Sequence, residues 1–291
     1  MRAQRFLCAL ALAGALLPAA ATAQSFTILS QNMLRFGHGS RLLAQCNAIT
    51  TASATVDIIV LQEVMQPGYP CLTANNKKGV NVPIPTNFAY VTSAAKGRSS
   101  YVEYYGILYR TNTRNNMQIT LSGSDDTLST TKTFMRPPFG ALFQVTNTTN
   151  AKACSVWVVD IHSIFGKVAS DRQYEATQMK TVYQNLMAKK TGSVIVAGDW
   201  NLAATDSGFS WVATNNASIQ PNVLTSLTAT GAPSSAYDHA VNTLNSTTPP
   251  SVTISQTTSG SWVYMGGMTG ANWRKNISDH MGVIADVSLT C

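Results

Sequence analysis

The stretch Ser193-Val-Ile-Val-Ala-Gly-Asp-Trp-Asn201 decides the reading of the fold. Val194, Ile195, Val196 and Ala197 form a short apolar run, rich in β-branched residues, as in a strand buried on both faces. Gly198 ends the run, and Asp199 and Asn201 follow at once. In open α/β sheets the chemistry sits where strands end. Alone, the stretch is equally well a strand and an Asx-type turn. The pattern repeats, however. A strand over residues 26–30 runs into Gln31-Asn32, and Ile58-Ile59-Val60-Leu61 runs into Gln62-Glu63-Val64. A strand over 156–161 ends in His162-Ser163, and Asn276-Ile277-Ser278-Asp279-His280 leads the last strand, 282–289.

These strand ends carry carboxylates, amides and imidazoles. Asp199 can orient or activate a water, and Asn201 can donate to a phosphate oxygen. Glu63, an acid at the end of a buried strand, reads as a metal ligand, because Mg²⁺ takes one or two carboxylates plus phosphate and water. Two of the four histidines stand at strand ends beside acids, which favours chemistry over a structural role. There is no Gly-rich phosphate loop, nucleophile elbow or His-x-x-x-His pair. The set fits hard-metal phosphodiester hydrolysis.

Residues 1–23 read as a secretory signal peptide: Arg2 and Arg5, an apolar run from Phe6 to Leu17, and the small-residue site Ala21-Thr22-Ala23. The run is too short to span a bilayer. The expected mature chain, 24–291, is a single domain, secreted to the extracellular space or periplasm, and a monomer without stable membrane anchoring. Its four cysteines, Cys46, Cys71, Cys154 and Cys291, suggest two disulfides. Three pairings are possible; the expected one is Cys46–Cys71 and Cys154–Cys291. The whole sequence has 20 basic and 13 acidic residues, net +7; without Arg2 and Arg5 the net charge is +5, a mild bias toward polyanions.

A helix is expected from about Ser40, with Leu42, Cys46 and Ile49 on one face and Ser40 as N-cap. Ser170-Asp171-Arg172-Gln173 reads as a capping box opening a helix to about Lys190. Tyr101, Glu103 and Tyr105 alternate along a strand over 101–110 and so share a face. Residues 119–133 read as irregular, 244–260 as surface structure and 262–273 as a loop. Residues 237–241 form a short strand with Asp238 near its start.

Taken in order, Gln31-Asn32, Leu61-Gln62-Glu63-Val64, Asp160-Ile161-His162-Ser163, Gly198-Asp199-Trp200-Asn201 and Ser278-Asp279-His280 resemble the DNase I-like members of the endonuclease/exonuclease/phosphatase superfamily. The resemblance runs from about Phe26 to the C-terminus. It implies a four-layer α/β sandwich: two packed mixed β-sheets flanked by helices. Gly97-Arg98, with Tyr101, Glu103 and Tyr105 before Tyr109-Arg110, is similar to the DNase I branch. By that resemblance Tyr101 contacts the substrate backbone, Glu103 pairs with His162, Asp238 orients His280 and Arg136 binds phosphate. Asn32, Glu63 and Asp279 match metal- or phosphate-binding positions, and Asp199 and Asn201 flank the attacking water and the scissile phosphate. The implied cofactor is Mg²⁺, with Mn²⁺ or Ca²⁺ as alternatives. The implied reaction is in-line attack of water on an internal phosphodiester, leaving 5′-phosphates. An imidazole–carboxylate pair or Asp199 is the base, and the other imidazole protonates the leaving 3′-oxygen. Met65 and Leu34 stand where the DNase I branch has arginines, which weakens the expectation of minor-groove reading.

The expected substrate is nucleic acid, DNA before RNA. Arg98, Arg136, Lys167, Arg172, Arg274 and Lys275 are placed to neutralise flanking phosphates, and no residue set suggests reading of base edges. A sphingomyelinase or phospholipase C-type phosphodiesterase is the alternative; it needs an exposed apolar hairpin, for which Trp262-Val263-Tyr264-Met265 is the candidate. The nuclease subunit of a toxin is another.

Overall fold

The computed structural model describes residues 24–98, 101–166, 168–244 and 251–291. The expected signal peptide and Lys167 lie outside these. In chain order the elements are β1 (Gln24–Phe36), α1 (Leu42–Ala52), β2 (Ile58–Val64), β3 (Phe88–Thr92), β4 (Tyr104–Arg110), β5 (Met117–Asp125), β6 (Phe139–Asn147) and β7 (Ala153–His162). Then follow α2 (Ala169–Ala188), β8 (Ser193–Asp199), α3 (Trp211–Thr214), β9 (Ala217–Gln220), β10 (Asp238–Thr243), β11 (Ser251–Ser255), β12 (Val263–Tyr264), α4 (Gly270–Asn276) and β13 (Gly282–Thr290).

They form two mixed sheets. One has the order β11-β13-β1-β2-β4-β3, with β12 also on β13; the other has the order β5-β6-β7-β8-β10-β9. Strand alternation explains the layering. Phe26 and Ile28 of β1, Ile58 and Val60 of β2, and Ile195 and Ala197 of β8 face the core between the sheets. Leu29, Met33, Ile59 and Leu61 face outward onto α1. Val194 and Val196 face outward onto Ala176, Met179, Val182, Tyr183 and Leu186 of α2. The result is the four-layer α/β sandwich. Every residue of β8 is buried, as a strand covered on both faces must be.

Two parallel pairs fix where the polar strand ends go. β1 and β2 are joined through α1, with Asn32 opposite Gln62. β7 and β8 are joined through α2, with His162 opposite Asp199. β10 runs antiparallel to β8 and begins with Asp238 opposite Asp199. β13 runs antiparallel to β1 and begins just after His280. The C-terminal ends of the parallel strands and the entries to β10 and β13 therefore meet at one edge. Both disulfides, Cys46–Cys71 and Cys154–Cys291, are formed; the first holds α1 to the loop after β2.

Several local expectations are corrected. Residues 117–125 are an edge strand: Met117 and Ile119 are buried while Gln118 and Thr120 face solvent. Residues 251–255 are a strand with Val252 and Ile254 inward, and 270–276 are a helix whose Thr269 side chain accepts from the Asn272 N–H. β4 starts only at Tyr104, Glu103 being bridged to Lys96. Neither Ser40 nor Ser170 caps a helix: the flanking residues are Arg41 and Val168, without side-chain caps.

Candidate active site

Local backbone strain turns the strand ends into a site. Gly198 has φ 155°, and a Cβ there would lie 1.9 Å from the Ile161 carbonyl oxygen, so β8 comes this close to β7 only with glycine. Asn201 follows at φ 50°, a left-handed conformation that asparagine tolerates. Its N–H donates to Asp199 Oδ1 at 2.9 Å and its amide to the Ser163 carbonyl at 3.1 Å. Across the other sheet, the β1–β2 pairing shifts register between Asn32 and Phe36. Leu34, Arg35 and Glu63 all take positive φ there. Such strain persists where surrounding bonds over-determine it: the Arg35 N–H donates to Glu63 Oε2 at 3.0 Å, and the Leu34 N–H to Asn32 Oδ1 at 2.9 Å.

Two acid–imidazole pairs converge on Asp199. His162 Nδ1 lies 2.7 Å from Glu103 Oε2, and His280 Nδ1 lies 2.8 Å from Asp238 Oδ2. Their Nε2 atoms lie 3.7 Å and 3.5 Å from the same Asp199 Oδ2. That oxygen also accepts from the Asn32 amide at 3.0 Å, and Asn32 further donates to Glu63 Oε1 at 3.1 Å. Asn32 thus links the β2 end to the β8 end.

The charges are tuned by this arrangement. Burial alone would lower His280, but the Asp238 and Asp199 carboxylates raise it to about 10. Burial and Arg136 would lower His162, yet Glu103 and Asp199 raise it above the usual histidine range. Burial would raise Asp199, but His280 and His162 hold it below the usual carboxylate range. Glu103 is likewise lowered against its burial, by His162 and then Arg136. Burial prevails at Asp238 and raises it. The Asp199 carboxylate thus lies between two rings whose neighbouring carboxylates favour the protonated form, most strongly at His280.

Above this centre is a cleft of about 520 Å³, whose walls include Glu63, Tyr101, Asp279 and Tyr237. Arg136 contributes to the wall but is buried: it donates to the His162 and Ser163 carbonyls at 2.9 and 2.6 Å and lies 3.3 Å from Glu103. Tyr101 is half exposed at the mouth. Asp279 lies 3.8 Å from Arg274. All the expected site residues thus lie on one edge of the domain. His239, by contrast, is fully buried between the carbonyls of Pro221 and Leu202, at 2.6 and 2.8 Å from its ring nitrogens.

For a hard cation, Glu63 offers a carboxylate that forms no ion pair among the described residues, and Asp279 offers a second across the same cleft. These oxygen donors suit a hard divalent cation. Asp199, Asp238 and His280 form a tighter group, with ligand atoms within 4.8 Å of one another. There, however, His280 already compensates both carboxylates.

Three residues without an expected role support the site. The Tyr105 hydroxyl donates to the Arg136 carbonyl at 3.2 Å and accepts from the His162 N–H at 2.9 Å. The Ser278 hydroxyl donates to the Asn32 carbonyl at 2.6 Å and accepts from the His280 N–H at 3.1 Å. Glu175, buried on α2, accepts from the N–H groups of Met135 and Ile164, the latter at 2.7 Å. An acid on the apolar face of a helix is a readable signal for Glu175; the other two had none beyond their neighbours.

Residues 29–280 match the model of the endonuclease/exonuclease/phosphatase family. No curated protein matches the sequence significantly. Among solved structures, humanized D. rerio TDP2 is 18% identical, with TM-score 0.59 over 90% of this chain and 98% of that one. A Bacteroides thetaiotaomicron protein of the endonuclease/exonuclease/phosphatase family is 16% identical, with TM-score 0.58 over 92% and 96%. A mannosyl-6-phosphatase from the same organism is 16% identical, with TM-score 0.53 over 91% and 100%. At these identities the likeness is one of fold.

Proposed function

The chain belongs to the endonuclease/exonuclease/phosphatase family, and from that premise we propose that it is a secreted, Mg²⁺-dependent phosphodiesterase that cuts nucleic acid internally, DNA before RNA. Members of the superfamily are metal-dependent hydrolases of phosphoester bonds. The observation that carries the finer reading is the convergence of the Glu103–His162 and Asp238–His280 pairs on Asp199 beneath a cleft edged by Tyr101. D. rerio TDP2 has been crystallised with a single-strand DNA product, so this fold accommodates such a strand.

In this reading Asp199 orients a water for in-line attack and takes its proton, because the carboxylates around the two imidazoles favour their protonated forms, His280 being raised to about 10. One imidazolium then donates its Nε2 proton to the departing 3′-oxygen, and the other stays on a non-bridging oxygen. Glu103 and Asp238 hold the two rings in tautomer and orientation. Asn201 donates to the phosphate. Glu63, with Asp279, would hold Mg²⁺, which when bound stabilises the negative charge that builds on the phosphate. The signal-like sequence of residues 1–23 supports export, and the two disulfides accord with an oxidising compartment. Among the described residues no helix is long and apolar enough to cross a membrane.

The lipid-directed alternative loses its motivating feature. Trp262, Val263, Tyr264 and Met265 are all part-buried: Trp262 packs on the core between the sheets and the other three around Trp273. The test is nicking of supercoiled plasmid. With Mg²⁺ the protein should yield nicked circles whose 5′-phosphate ends a ligase reseals; EDTA or His162→Ala should stop it. Plasmid and single-stranded DNA both left intact with Mg²⁺ present would refute the reading.

A further inference from the structure

Phe165 is the most exposed large apolar side chain among the described residues, at 77%. It stands three residues beyond His162, in the wall of the catalytic cleft. An aromatic ring left in water at the wall of a catalytic cleft is free to stack on a flat ligand bound there. The loop that carries it is held on both sides. Before it, the buried Glu175 carboxylate accepts the Ile164 N–H at 2.7 Å, and the Ser163 carbonyl takes bonds from Arg136 and Asn201. After it, the Arg172 guanidinium donates to the Gly166 carbonyl. The ring is therefore presented from a fixed backbone and gains nothing from the protein's own core.

We propose that Phe165 is a stacking platform for a nucleobase next to the scissile phosphate, and that it directs the enzyme toward single-stranded nucleic acid. The inference rests on the nucleic-acid reading above. An aromatic ring beside a charged, hydroxyl-bearing cleft suits a flat base attached to a sugar phosphate. Every base has a π-face, so such contacts are sequence-tolerant. In a duplex the bases are already stacked on one another, and reaching Phe165 requires unstacking. An acyl chain would instead need a continuous apolar wall. Here the apolar and aromatic members of the cleft wall, Leu227, Tyr101 and Tyr237, are interleaved with Glu63, Arg136 and Ser234.

The test compares wild type, Phe165→Ala and Phe165→Trp by kcat/KM on a single-stranded oligonucleotide, on the same oligonucleotide with abasic residues flanking the cleaved bond, on duplex DNA and on sphingomyelin micelles. Phe165→Ala should lose about 5- to 150-fold on the single strand, the range for one base–aromatic stack, and less on duplex. Phe165→Trp should restore the activity. The defect should vanish on the abasic oligonucleotide, where wild type also has no base to stack. An unchanged rate on the single strand, an equal loss on the abasic oligonucleotide, or a loss confined to sphingomyelin would overturn the proposal. If wild type cleaved none of the nucleic acids, the functional reading itself would fall, and the inference with it.

Discussion

Asp238→Asn tests the electrostatics of the site in isolation from its shape. The amide keeps the size of the carboxylate and can still accept from His280 Nδ1, but the negative charge is gone. In the wild-type protein the neighbouring carboxylates, Asp238 first and Asp199 second, overcome burial and raise His280 from 6.5 to about 10. One pKa unit is worth about 1.4 kcal/mol, so the rise corresponds to at most about 5 kcal/mol of preference for the cation in the folded state. Asp199, 3.5 Å from Nε2, supplies part of this and is untouched. We therefore expect the substitution to cost about 2–3 kcal/mol, somewhat below the roughly 3–5 kcal/mol of breaking a buried pair outright. The sign of the pH dependence follows from the raised pKa. The stabilisation is full below the unfolded-state value near 6.5 and is lost as pH rises through about 10. Urea unfolding in EDTA should show wild type ahead of the variant by that margin at pH 6, with the gap closing toward pH 10.5. The alkaline limb of kcat/KM should also move to lower pH in the variant, because His280 loses its proton earlier. Equal stability at pH 6, or a gap that does not change with pH, would refute the assignment of Asp238 as the charge that holds His280 protonated.

Other substitutions probe the remaining parts. Glu103→Gln and His162→Ala should each lower kcat by about 10²–10⁴-fold with the fold intact by circular dichroism; near-wild-type turnover would remove His162 from the chemistry. Glu63→Gln should raise the Mg²⁺ concentration for half-maximal rate far more than it lowers the rate at saturation, and an unshifted metal titration would exclude Glu63 as a ligand. Replacing Cys46 and Cys71 with serine opens a link between residues 25 apart, for which chain entropy predicts a loss of about 3–4 kcal/mol in urea unfolding. Arg274→Ala with Lys275→Ala should flatten the salt dependence of duplex affinity, by a log–log slope of about 0.9 for each phosphate no longer neutralised; an unchanged slope would place the phosphates elsewhere.

The parts of the molecule legible in the sequence are those where burial on both faces forces a continuous apolar run. β2, β7 and β8 read this way, and a polar residue directly after such a run stands out. That is why Glu63, His162, Asp199 and Asn201 were visible. Edge strands were not, because half their residues face water: β5 alternates Met117 and Ile119 with Gln118 and Thr120, and β11 has only Val252 and Ile254 inward. The supports of the site were hidden for another reason. Tyr105 and Ser278 act through bonds to backbone groups distant in sequence, which no local pattern encodes. The positive φ of Glu63 arises from the bulged strand pairing around it, so the aim of its carboxylate became clear only with the sheet in place.

The most direct test of the central claim is a comparison of kcat/KM for one preparation on single-stranded DNA, duplex DNA, RNA, sphingomyelin micelles and mannose 6-phosphate, each with Mg²⁺ and with EDTA. The two imidazole–carboxylate pairs around Asp199, under a cleft edged by Tyr101 and Phe165, predict that DNA is hydrolysed best, above both non-nucleic substrates by more than about tenfold, and that EDTA abolishes the activity. Preference for sphingomyelin or the sugar phosphate, or full DNA cleavage in EDTA, would contradict the account.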